Sequence, residues 1–108
     1  MIDVGQLPES ADIGDVDRII HEPARLLIMA HLYVLASADF VYLMNQTKLT
    51  RGNLGGHLAK IESAGYVTVE KVFVNRIPRT IYSMTEVGRA AFRTYRQNLK
   101  QFFDDWSE

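Results

Sequence analysis

Within one stretch of ten residues, this sequence places Arg51, Asn53, His57 and Lys60 on a segment with helical spacing. Arginine offers a planar fork that matches guanine, and asparagine offers an amide that matches the edge of adenine. Lysine is a point charge better suited to a phosphate, and a hydroxyl such as that of Thr50 can also meet phosphate while capping a helix. Downstream, Arg76 and Arg79 sit where a hairpin should turn. A helix fits the major groove, and a basic hairpin beside it can grip phosphate or reach the minor groove. The chemistry on offer is recognition of a duplex, with no bond made or broken.

Bond-making chemistry finds no support. The three histidines, His21, His31 and His57, have no metal-ligand spacing with one another or with acidic residues. There is no cysteine, so neither a disulfide frame nor a thiolate metal site is available. No glycine-rich phosphate loop follows a strand, and no nucleophile motif is present. The expectation is therefore no catalytic residue, no metal and no cofactor. His21-Glu22 reads as a helix-start pair used for capping or packing, and His31 as a core or interface histidine.

The elements that must position these residues follow from periodicity and caps. Thr50 is a good N-cap, Leu54, Leu58 and Ile61 fall at i, i+4 and i+7, and Gly65 supplies a stop, which predicts a helix over 50–64 with one buried face. Val67, Val69 and Val72 to Val74 are strand material, Tyr82 and Met84 alternate on the return, and Asn75 to Pro78 holds turn formers. Upstream, a helix is expected over about 15–36, with Pro23 either starting its main segment or kinking it. Asp39-Phe40 reads as a short extended link, and Val41 to Thr47 as a short helix with Leu43 and Met44 inward. Thr85 can cap a last helix running to about Trp106, with Glu86 in its first turn. Residues 1–13 read as a poorly ordered arm and 14–108 as one domain.

Gly55-Gly56 is the odd feature of the reading helix. Each glycine inside a helix costs roughly 1 kcal/mol relative to alanine. Close approach of the helix backbone to DNA would explain the pair; so would drift on a solvated face rescued by tertiary packing.

The net charge of -1 argues against a nucleic-acid binder until its distribution is read. Residues 1–47 carry two basic and seven acidic side chains, net -5. Residues 48–80 carry Lys48, Arg51, Lys60, Lys71, Arg76 and Arg79 against Glu62 and Glu70, net +4. Positive charge thus sits on the reading helix and hairpin, although a solvated face would look similar. No apolar run approaches the ~20 residues that a spanning helix needs. The acidic N-terminus has the wrong sign for a signal peptide, so a cytoplasmic location is expected.

Residues from about 20 to 92 resemble the MarR-like winged-helix transcriptional regulators, especially the small single-domain type. The matching pieces are His-Glu-Pro-Ala-Arg-Leu at 21–26, Leu-Thr-Arg-Gly-Asn-Leu at 49–54, His-Leu-Ala-Lys-Ile-Glu-Ser-Ala-Gly-Tyr-Val at 57–67, Arg-Ile-Pro-Arg-Thr at 76–80 and Met-Thr-Glu-Val-Gly-Arg at 84–89. The resemblance implies a mainly α, α+β winged helix-turn-helix with a two-stranded wing and a long C-terminal dimerisation helix over 85–106. It also implies a homodimer that binds specific sites on double-stranded DNA, with repression the family default. Its base-reading surface falls on Arg51, Gly52, Asn53, Gly55, Gly56, His57 and Lys60, next to Thr50, and its wing contacts fall on Arg76 and Arg79. Similar chains often carry glycine at 75 and a basic residue at 77, where this one has Asn75 and Ile77, so its wing has fewer charges than usual.

The terminal helix carries a second signal. Val87, Ala91, Tyr95, Leu99, Phe102 and Trp106 form an apolar stripe longer than a small core can cover. Packed on its counterpart or on a partner's first helix it would form a dimer interface, expected at Tyr95, Leu99, Phe102 and Trp106; folded back, it would serve its own core. Tyr33, Tyr42, Phe92 and Tyr95 could line a small-molecule effector cleft, though such aromatics are more often core. A winged helix that binds another protein instead of DNA is the alternative from a different class.

Overall fold

The computed structural model describes residues 16–106. The arm expected over 1–13 lies outside the described residues. Helix α1 runs Pro23–Leu35, strand β1 Ser37–Asp39, helix α2 Phe40–Thr47, helix α3 Arg51–Ser63, strand β2 Val67–Val74, strand β3 Ile77–Met84 and helix α4 Glu86–Asp105. This is a mainly helical winged-helix fold.

Local chemistry fixes the helix starts. Proline suits the first helical position because the missing N–H has no partner there anyway. The residue before it is pushed out of helical geometry, and Glu22 is extended at φ -152, ψ 131. Its carboxylate caps α1 by accepting from the Arg25 amide at 2.9 Å. The helix expected from about 15 therefore begins at Pro23. The residues before it form a turn in which Asp17 accepts from the Ile19 and Ile20 amides at 2.8 and 3.1 Å. Thr50 and Thr85 cap α3 and α4 as expected, accepting from the Asn53 amide at 3.2 Å and the Gly88 amide at 2.9 Å. Gly65 stops α3 at φ +82, a conformation costly for any side chain.

The core lies between α1, α2, α3 and the first half of α4. Ile28, Met29 and Leu32 of α1 meet Leu43 of α2 and Leu54, Leu58 and Ile61 of α3, all fully or almost fully buried, with Val67, Phe92 and Tyr95 closing the cluster. Tyr66 donates its phenolic proton to the Asp17 carboxylate. Burial and that neighbouring carboxylate push the Tyr66 phenol up to about 12.

Sequence reading missed two features here. The extended link expected at Asp39-Phe40 lies earlier and is a third strand, Ser37–Asp39, with Phe40 opening α2: the sheet runs β1-β3-β2, with Ser37 opposite Ser83 and Asp39 opposite Ile81. Gly88 is also structural, because a Cβ there would collide with the Tyr66 carbonyl oxygen. The buried side of α4 accordingly starts at Gly88 and Phe92, while Val87, expected to lead the stripe, is 61% exposed. No described helix is long and apolar enough to cross a membrane.

Candidate nucleic-acid interface

Burial of Leu54, Leu58 and Ile61 decides which way α3 faces. At 3.6 residues per turn, the side opposite them carries Gly52, Gly56, Ala59 and Ser63, flanked by Asn53 and Lys60. All six are exposed, as are Thr50 and Arg51 at the helix start. A Cβ placed at Gly52, Gly55 or Gly56 would meet nothing within 4 Å. Packing within the described chain gives no reason for glycine at these positions. The result is a smooth helix face with its amide and cation at the margin.

The expected site residues do not all stand free. The guanidinium of Arg51 lies over the Phe40 ring, 5.2 Å from its centroid. His57 is half-buried: the Arg25 guanidinium bonds its Nδ1 at 3.2 Å, and its Nε2 lies 3.7 Å from the Glu22 carboxylate. That carboxylate is held below its ordinary pKa, first by the Arg25 amide it caps and also by the Ala24 amide and the charge of Arg25. Arg79 is likewise occupied, pairing with Asp39 at 2.8 Å, while Asp39 also caps α2 by accepting from the Tyr42 amide at 2.7 Å. Arg79 thus stands two residues beyond the start of β3, opposite Val72, with its guanidinium drawn back to the start of α2.

The hairpin turns more tightly than its sequence implied. Val74 pairs with Ile77 and Phe73 with Pro78, so the turn is Asn75-Arg76 alone, and Pro78 belongs to β3. Pro78 is tolerated because β1 reaches only as far as Ile81, leaving that stretch of β3 an edge. Both turn residues have positive φ, 52° and 67°. Asparagine enters this region easily, but arginine there costs roughly 1 kcal/mol and glycine is the usual occupant. Arg76 is the single charge at a tip otherwise made of exposed Phe73, Val74 and Ile77.

Between hairpin and helices lies a cleft of about 450 Å³ whose lining includes Phe40, Val69 and Tyr82 together with Arg51, Lys71 and Arg79. Lys71 was not singled out from the sequence. Its position on the inner face of the hairpin follows only from register, opposite Thr80 and two residues beyond the Val69–Tyr82 pair.

The residues expected at a dimer interface divide. Tyr95 is 3% exposed and fills its own core, with its hydroxyl 2.9 Å from His21 Nδ1. Leu99 and Phe102 are half-buried, whereas Phe103 is 65% and Trp106 42% exposed. The four aromatics considered for an effector cleft do not gather in one place. Tyr33 stacks on Phe92 with ring centroids 4.9 Å apart, and Tyr42 meets His31 edge-on at 6.1 Å. Among the described residues no cluster of three or more acidic, histidine or cysteine side chains could hold a metal.

Residues 24–103 match the family described as the winged helix DNA-binding domain. Over 84 residues, 78% of this chain and 91% of the other, the sequence is 37% identical to an uncharacterized protein of Methanocaldococcus jannaschii. In three dimensions it is similar to the transcriptional regulator homologue protein from Pyrococcus horikoshii, with a TM-score of 0.80 and 32% identity over 85% of this chain and 91% of that one. A MarR family regulator from Neisseria meningitidis aligns with a TM-score of 0.56 and 17% identity, over 83% of this chain and 59% of that one, a likeness of fold alone.

Proposed function

This chain belongs to the winged helix DNA-binding domain family, a family of regulators and not of enzymes, and we propose that it binds specific sites on duplex DNA and acts as a cytoplasmic transcriptional repressor. In this reading two copies form a homodimer, and each lays α3 in the major groove of one half of an inverted repeat. Arg51 and Asn53 meet base edges. Gly52, Gly55 and Gly56 let the helix backbone approach, Lys60 and Thr50 meet phosphates, and Arg76 carries the charge of the wing. Leu99, Phe102 and Trp106 meet the second copy.

The observation that carries the reading is the outer face of α3. Gly55 and Gly56, inside the helix with open space around them, weaken it by roughly 1 kcal/mol each relative to alanine, and the described residues give neither these nor Gly52 any packing gain. A groove wall pressed against that face supplies the missing reason. The simplest test is binding to random-sequence duplex as salt is raised. Contacts to phosphate make affinity fall linearly with salt on logarithmic axes. Absence of binding at low salt would favour the alternative, a winged helix that docks another protein.

Two substitutions have effects of opposite sign on stability and binding. Gly56→Ala should raise the unfolding free energy by about 1 kcal/mol, since it restores helix propensity where a Cβ has room. The same change should weaken duplex binding, because the new methyl stands between helix and groove. Thermal unfolding and duplex titration on one sample check both; tighter or unchanged binding would remove the glycine face from the interface.

Arg76→Gly should likewise stabilise the hairpin, by about 1 kcal/mol, by relieving the positive φ. It should also reduce the log–log salt slope by about one unit. Lys60→Ala should flatten the slope by a similar amount. An unchanged slope in both variants would place the DNA surface elsewhere.

A further inference from the structure

We propose that His57 positions the reading helix and does not read bases, and that Arg25 and Glu22 are the groups through which it does so; this rests on the DNA-reading proposal above. Arginine has donors only, so Nδ1 of His57 must accept the 3.2 Å bond from Arg25. The ring proton is then on Nε2, which faces the Glu22 carboxylate at 3.7 Å. Nδ1 is thus engaged by the chain itself, and Nε2 is turned toward a carboxylate of the same chain. The partners are in turn fixed: Arg25 Nε donates to the Ile19 carbonyl at 2.6 Å, and Glu22 Oε1 accepts from the Arg25 amide at 2.9 Å.

Placement agrees with this role. His57 lies between Leu54 and Ile61 in the helical repeat, toward the buried side of α3, and its side chain is only 23% exposed. Gly52, Gly56, Ala59 and Ser63 point the other way. A helix with glycines at 52, 55 and 56 has little stiffness of its own, so its orientation has to come from its buried leucines and from fixed polar ties. Among the described residues, the tie at His57 is the longest-range hydrogen bond from an α3 side chain, reaching 32 residues back to the start of α1.

The test compares two replacements. His57→Asn keeps an acceptor close to the place of Nδ1, and His57→Leu keeps bulk without it. The Leu variant should lose about ten-fold in affinity, on random and specific duplexes alike, with the ranking of bases unchanged, the size expected for one charge-assisted hydrogen bond. The Asn variant should return to within about two-fold. Combining His57→Leu with Arg25→Gln should weaken binding no further than the worse single change, since both remove one tie. Amide hydrogen exchange along α3, measured without DNA, should speed up in the Leu variant and recover in the Asn variant.

Loss of preference at one base pair, an Asn variant as weak as the Leu variant, additive losses with Arg25→Gln, or unchanged α3 exchange would each overturn the positioning role. Failure of the wild-type protein to bind any duplex, with the exchange pattern as expected, would instead overturn the DNA reading and leave His57 as a tie of the fold.

Discussion

Deletion of residues from Gln97 onward should convert the protein to monomers or aggregates and lower its affinity for an inverted repeat by about a hundred-fold or more, the loss expected when two linked contacts become one. The cut keeps the buried core residues and removes, among the described residues, one side chain packed against them, the half-buried Leu99. Gly88, Phe92 and Tyr95, the residues of α4 that its own chain buries, all remain. The rest of what is removed is half-buried Phe102 with Phe103 and Trp106, which the described residues leave 65% and 42% exposed. Such an apolar run marks an interaction surface. A two-fold dimer presents two reading helices to half-sites about ten base pairs apart or a multiple of that. Sedimentation at micromolar concentration checks the first half of this result and duplex titration the second. An intact protein that sediments as a monomer and binds a single half-site with full affinity would remove both the dimer and the inverted repeat.

Arg51→Ala and Asn53→Ala should each cost about 1–3 kcal/mol on a specific site and relax the preference at one position, while random duplex is bound nearly as before. Both side chains are exposed at the first turn of α3. Arg51 is partly preorganised by its contact with Phe40. Stacking fixes the side chain without using its donors, which leaves the fork free for guanine. The two residues act as neighbours on one turn, so the double variant is not expected to be additive. Equal losses on specific and random duplex would show that they only touch the backbone.

The parts of this fold that were legible in the sequence are those decided by near neighbours. A threonine hydroxyl three residues before the amide it caps, a leucine repeat at i, i+4 and i+7, and a glycine after the last helical turn each have their cause within one turn of chain. Thr50, Leu54, Leu58, Ile61, Gly65 and Thr85 accordingly fall where the sequence put them. The features that escaped depend on distant partners. Ser37–Asp39 has no strand propensity and becomes a strand because β3 offers it a free edge. The pairing of Arg79 with Asp39, 40 residues away, is likewise invisible in the sequence. The contact of His57 with Arg25, 32 residues back, leaves no mark in the sequence. Gly88 carries no signal at all without the Tyr66 carbonyl next to it. Pro23 was the exception, since its effect is local and only the choice between starting and kinking a helix was open.

Selection of bound duplexes from a randomised pool tests the central claim most directly. The account predicts enrichment of an inverted repeat whose half-sites lie about ten base pairs apart, or a multiple of that. The enriched preference should contain guanine or adenine at positions that Arg51→Ala and Asn53→Ala relax one at a time. A pool that emerges with no sequence preference, from a protein that also fails to retain duplex at low salt, would contradict the account and leave the winged helix as a surface for another protein.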